Sequence, residues 1–155
     1  MTANIDRIRQ RWTEQKIQNN DLATVLDIRK FQNRYGVILP AAVRDYFTLL
    51  NGTRGGQLHM EDPNLVSFWH LDEIKPLREE MESYAANPST QDLFVFADYS
   101  IWACGWAMEL TRNESNVSLV YRINGREPIK IAESFNEFLT NYAKDDLSIF
   151  ESPEK

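Results

Sequence analysis

Few residues in this chain have the type and spacing for chemistry. His59 and His70 are the two histidines, eleven positions apart. That interval is neither the i,i+4 of a helical ligand pair nor a common loop spacing. Asp62 and Asp72 lie nearby, but a metal site takes about three or four ligands of matched type. Both histidines are therefore expected at the surface near loops. Cys104 is the single cysteine, set among Trp102, Trp106 and Met108 with no Lys or Arg beside it in the segment. Reactive thiols want a positive, partly exposed setting, so Cys104 reads as an inert core residue. The chain has no Gly-x-Ser-x-Gly elbow, Walker loop or Gly-x-Gly-x-x-Gly fingerprint. Gly52-Thr53-Arg54-Gly55 fits the Gly-x-x-Gly clamp of KH domains. It follows a helix end and precedes no second helix, so it reads as a cap running into a loop. No catalytic residue, metal or cofactor is assigned, and the chain is expected not to be an enzyme.

Charge is the chemistry that remains. The 155 residues carry 17 Lys/Arg against 23 Asp/Glu, a formal charge of −6. That sign argues against a protein that coats nucleic acid or a polybasic membrane binder. The charge is uneven. Residues 1–36 carry seven bases and four acids, whereas residues 61–98 carry nine acids against Lys75 and Arg78. A negative face of this kind steers a basic partner. The candidate contact residues are Asp62, Asp72, Glu73, Glu79, Glu80 and Asp98 for charge, with Trp69 as an aromatic anchor if exposed. A ligand-binding alternative uses the Trp102/Trp106 strand with His70 and Asp98, and requires a concave pocket reaching them.

The elements that position these residues follow from pattern. Ile5, Ile8 and Trp12 mark a helix face. Asp27 is placed to cap a second helix with Ile28, Phe31 and Tyr35 inward and Gly36 as its left-handed C-cap. Pro40 suits the first position of a third helix, with Val43, Tyr46, Phe47 and Leu50 inward, ended by Asn51-Gly52. Pro76 opens a further helix, with Leu77, Met81 and Tyr84 inward and Arg78/Glu82 as an i,i+4 pair. Strands are expected at Leu93–Ala97, Ile101–Leu110, Val117–Ile123 and Ile129–Ala132. Along the second, alternation sets Trp102, Cys104, Trp106, Met108 and Leu110 on a bulky face and Ile101, Ala103, Gly105, Ala107 and Glu109 on a small one. Between the last two strands, burial favours Tyr121 opposite Ile129 and Leu119 opposite Ile131, with a bulge or three-residue loop near Asn124-Gly125. Ser134 and Glu137 form a capping box for a closing helix with Phe135, Phe138, Leu139 and Tyr142 inward.

Length, the absence of repeats or linkers, and an N-terminus without an apolar leader segment lead us to expect one domain over residues 1–155. The lone cysteine suits a reducing, intracellular compartment, and no stretch suits a membrane span.

The order of four segments resembles the SUKH superfamily, which includes bacterial immunity proteins and the fungal Knr-type cell-wall assembly regulators. They are Phe31–Pro40 with Tyr46-Phe47 and Leu50-Asn51-Gly52; Val66–Ile74; Phe94–Asp98; and Ile131–Leu139. Together they span about residues 28–144. Two departures are mild: Gln32 stands where glutamate is frequent, and Thr53 follows Asn51-Gly52 where a second glycine is usual. The resemblance implies an α+β fold, with N-terminal helices packed on a mainly antiparallel sheet closed by a C-terminal helix. It also implies a cytoplasmic, non-enzymatic protein that binds another protein. In bacteria that partner is a cognate toxin domain of a polymorphic toxin system. The alternative is a regulatory or scaffold module binding host proteins. Neither implies direct contact with nucleic acid or membrane, and the oligomeric state is left open.

Overall fold

A computed structural model of the chain describes residues 3–17, 21–53, 66–100 and 102–150. His59 and Asp62 lie outside the described residues. The fold is α+β, as expected, with helices from both ends of the chain packed on a six-stranded antiparallel sheet. Helix α1 (Ala3–Glu14) buries Ile5, Ile8 and Trp12. Trp12 Nε1 donates to the Tyr142 hydroxyl at 2.9 Å. Helix α2 (Val25–Tyr35) starts earlier than expected, because Thr24 is its cap. The Thr24 hydroxyl accepts from Asp27 N at 3.1 Å and the Asp27 carboxylate accepts from Thr24 N at 2.9 Å. Asp27 is thus the returning member of a capping box, and those bonds hold its carboxyl below the usual range. Gly36 ends α2 at φ +67°, as expected. Pro40 sits one place before α3 (Ala41–Leu49), as its N-cap.

The sheet runs in the order β1 (Val66–Phe68), β3 (Leu93–Tyr99), β4 (Cys104–Glu109), β5 (Val120–Ile123), β6 (Ile129–Ala132). The two-residue β2 (Lys75–Pro76) also pairs with β3, farther along the edge that β1 occupies. Helix α4 (Leu77–Glu80) is a single turn, and α5 (Phe135–Ala143) closes the fold behind its Ser134 cap. On one face of the sheet Phe96 and Trp106 pack against Phe138 of α5, at ring distances of 5.2 and 5.9 Å. Phe68 lies between Trp12, Tyr46 and Tyr142 in the same layer. Val95, Ala107 and Ile123, of the opposite parity, are also fully buried. The segment 71–92 closes that side. Its Leu77 is fully buried, and its Tyr84 hydroxyl donates to Arg126 O at 2.7 Å on the loop between β5 and β6.

Burial on both faces explains where alternation misled. Residues 102–103 form a turn, so the second expected strand begins only at Cys104. Trp102 has φ +67°. Its ring lies over Gly105, where a Cβ would sit 2.5 Å from it. Trp102 thus belongs with the small residues, away from Trp106 and Met108. Strand β5 is likewise shorter, and it buries Val120 and Ile123 on opposite faces. Ser118, at φ +64°, reverses the alternation, leaving Val117 exposed and Val120 buried. A bulge is present, but between Val120 and Tyr121, and Tyr121 pairs with Lys130 while Arg122 pairs with Ile129. The expected Tyr121–Ile129 register assumed that only one face needed apolar residues. Arg78 also turns away from the expected helix pairing and donates to Gln91 O at 2.8 Å.

Burial, then Asp92, push the Glu109 carboxyl above its usual value. The folded state therefore penalises the ionised form. The penalty is absent below the unfolded pKa and complete above the folded one, so this contribution destabilises as pH rises through the carboxylate range. Glu109→Gln should raise Tm at pH 7 and leave it unchanged near pH 3, read by thermal melts at both pH values.

Candidate protein-docking site

Between β1 and β2 the chain leaves the sheet edge for residues 69–74. Trp69 N still donates to Phe96 O at 2.9 Å, while its indole turns to Asp98. Trp69 Nε1 donates to one Asp98 carboxylate oxygen at 2.7 Å, and Trp102 N donates to the other at 2.9 Å. Asp98 thereby ties the edge segment to the β3–β4 turn. The Trp69 and Trp102 rings meet edge to face, 6.0 Å apart at 81°. Trp69 is 3% exposed and Asp98 1%. This corrects their expected role as surface contacts. A buried carboxylate with both oxygens satisfied by protein donors is a structural tie.

The remaining acidic candidates converge on a concavity of about 400 Å³ at this place. Trp69 and Trp102 form its base. Asp72, Glu73, Glu79 and Glu80 line it, with Lys75 and, from α2, Arg34 and Tyr35. Lys75 pairs with Glu80 at 3.2 Å, and Arg34 lines the same recess as the acids. Asp62 is the one contact candidate outside the described residues.

Asn51, Gly52 and Thr53 hold this wall. Asn51 is fully buried with φ +61°. Its Oδ1 accepts from Leu71 N at 2.9 Å, and its Nδ2 donates to Asp21 O at 2.6 Å and lies 2.9 Å from His70 Nε2. His70 Nδ1 accepts from Asp72 N at 3.2 Å, so His70 caps the 3-10 turn Leu71–Glu73 from a partly buried position. The expected plain surface histidine is thus a turn-former. Thr53 Oγ1 accepts from Phe68 N at 3.0 Å and Thr53 N donates to Phe68 O at 2.9 Å.

The model of the SMI1/KNR4 family (SUKH-1) matches residues 22–141. The chain belongs to that family. No curated protein shows significant sequence similarity to it. SUKH-1 is a family of protein-interaction domains, of immunity and regulatory type. In this SUKH-1 chain the segments that carry the likeness act as ties: Asn51-Gly52 on the 69–74 turn, and Asp98 on two tryptophans. Both departures are absorbed locally. Thr53 supplies a hydroxyl for β1, and Gln32 Oε1 accepts from Leu39 N at 2.8 Å.

Two site residues of this SUKH-1 domain escaped the sequence reading, Arg34 and Tyr35, while Trp102 entered it only as part of the ligand-binding alternative. Tyr35 was assigned to an apolar helix face, and it does pack on Phe31 and Phe94 at 4.9 and 5.3 Å. It is nonetheless half-buried, and it lines three adjoining concavities. The available signal was its place at the last turn of α2 beside Arg34, whose guanidinium lies 5.3 Å from its ring. Burial pushes the Cys104 thiol up, and the cross-strand Arg122, invisible to local sequence, offsets this only in part. Among the described residues no group of three or more His, Cys, Asp or Glu is arranged to hold a metal.

Proposed function

We propose that this SUKH-1 domain is an immunity protein, acting without catalysis in the cytoplasm by binding a cognate toxin domain of a bacterial polymorphic toxin system. The observation that carries the proposal is the gathering of Asp72, Glu73, Glu79 and Glu80 around a tryptophan-based concavity. A flat solvated acidic surface would not bring them to one recess. Interfaces anchor on aromatic residues in pockets ringed by polar groups, and charge complementarity speeds encounter with a basic toxin face. Leu22, just before α2, and Val25 and Leu26 in its first turn are 50%, 72% and 53% exposed.

The direct experiment is co-purification with the C-terminal domain of the toxin encoded beside it, together with protection of cells from that domain. Failure of both overturns the proposal. The double variant Glu79→Lys/Glu80→Lys should slow association by about tenfold at low salt and flatten its salt dependence, read by stopped-flow. An unchanged on-rate would make this face solvation only. The second reading, a regulatory module binding host proteins, is favoured by the SMI1/KNR4 naming of the family. It predicts several partners and no adjacent toxin gene.

A further inference from the structure

A second concavity, of about 240 Å³, shares Tyr35 with the first. Arg78 and Arg112 both line it. Each is oriented by one bond to a backbone carbonyl: Arg78 Nη1 to Gln91 O at 2.8 Å, and Arg112 Nε to Gly36 O at 2.9 Å. The Gly36 carbonyl stands at the C-terminal end of α2, where a cation is favoured. A guanidinium has five N–H donors in a planar fork, so each arginine keeps most of its donors after this bond. Among the described residues no carboxylate lies within ion-pair distance of either arginine. That is notable in a chain with 23 acids and a net charge of −6. Asp92 also lines the recess, and it sits near enough to Glu109 to raise that residue's pKa. Phe94, packed on Tyr35, supplies an apolar wall.

We propose that this recess is a carboxylate-binding site that takes a Glu or Asp side chain from a protein partner. Two oriented guanidinium forks match a planar carboxylate. Asp92 decides between anions: it penalises a phosphate dianion more than a monoanionic carboxylate. The Tyr35–Phe94 wall receives the methylene stem. The recess shares Tyr35 with the acidic concavity. A partner bracketing that tyrosine therefore presents a basic side chain on one side and an acidic one on the other. Such an alternating surface rejects partners of uniform charge. The inference rests on the protein-binding reading only for the source of the carboxylate.

The test is titration of the full chain with N-acetylglutamate N-methylamide at constant ionic strength, read by the arginine Nε–Hε NMR signals. The Arg78 and Arg112 signals should shift along one saturating curve. The neutral glutamine analogue and inorganic phosphate should leave them in place. Arg78→Gln and Arg112→Gln should each weaken the probe by at least about tenfold, the scale of one charge-assisted hydrogen bond. Asp92→Asn, which removes no internal tie, should tighten it and admit phosphate. Three outcomes overturn the proposal: no saturable shift, shifts that persist in the double arginine variant, or phosphate binding as tightly as the glutamate probe to the unaltered protein. The measurement uses no toxin and none of the acidic concavity's carboxylates, so its failure is separable from failure of the immunity reading.

Discussion

Gly52→Ala is expected to cost about 2–5 kcal/mol of folding stability, enough to unfold much of a marginal domain at physiological temperature. Two terms add. Gly52 has φ +81°, a region that costs a side-chain-bearing residue about 1–2 kcal/mol. A Cβ built there meets Trp69 O at 2.6 Å, Phe68 O at 2.7 Å and the Trp69 carbonyl carbon at 2.8 Å. Those atoms cannot step aside cheaply, because Phe68 is tied to Thr53 through both N and O, and Trp69 N to Phe96 O. Overpacking against fixed backbone costs about 1–3 kcal/mol or more. Gly125→Ala is the control: Gly125 has φ +89° with nothing within 4 Å of the built Cβ, so it carries the conformational term alone. Urea denaturation of both variants separates the terms. If Gly52→Ala loses no more than Gly125→Ala, the contact with β1 is not what the glycine is for.

Asp98→Ala should be nearly as damaging, at about 2–4 kcal/mol. It removes the acceptor from Trp69 Nε1 and from Trp102 N, and each orphaned buried donor costs about 1–3 kcal/mol. Asp98→Asn keeps the shape but supplies one acceptor oxygen where two are needed, so it should fall between wild type and alanine. The signature beyond stability is tryptophan fluorescence. Trp69 and Trp102 should redshift together, since one carboxylate holds both. A partner should also bind the asparagine variant more weakly, although Asp98, at 1% exposure, touches no partner. A fluorescence change confined to Trp69 would show that the left-handed Trp102 turn is held by something else.

The candidate site was half legible. Asp72, Glu73, Glu79 and Glu80 were readable as a charge run, and the structure does draw them into one recess. Trp69 and Asp98 belong to the same stretch but point inward, and composition cannot distinguish a carboxylate facing water from one clamped by an indole and a backbone N–H. That difference depends on a donor 29 positions away in the chain. Arg34 and Tyr35 reach the recess from α2, which local pattern joins to it in no way.

By itself the sequence determined the helix faces, the Gly36 and Ser134 caps, the α+β class and the SUKH likeness. Each rests on interactions within about one turn of helix or one strand, where side-chain period and capping chemistry decide. Tertiary structure alone decided the side on which Trp102 lies, the start and register of β5, the inward turn of Asp98 and the two recesses beside Tyr35. Alternation states which residues share a face of a strand. It does not state what covers that face, and this sheet is covered on both sides.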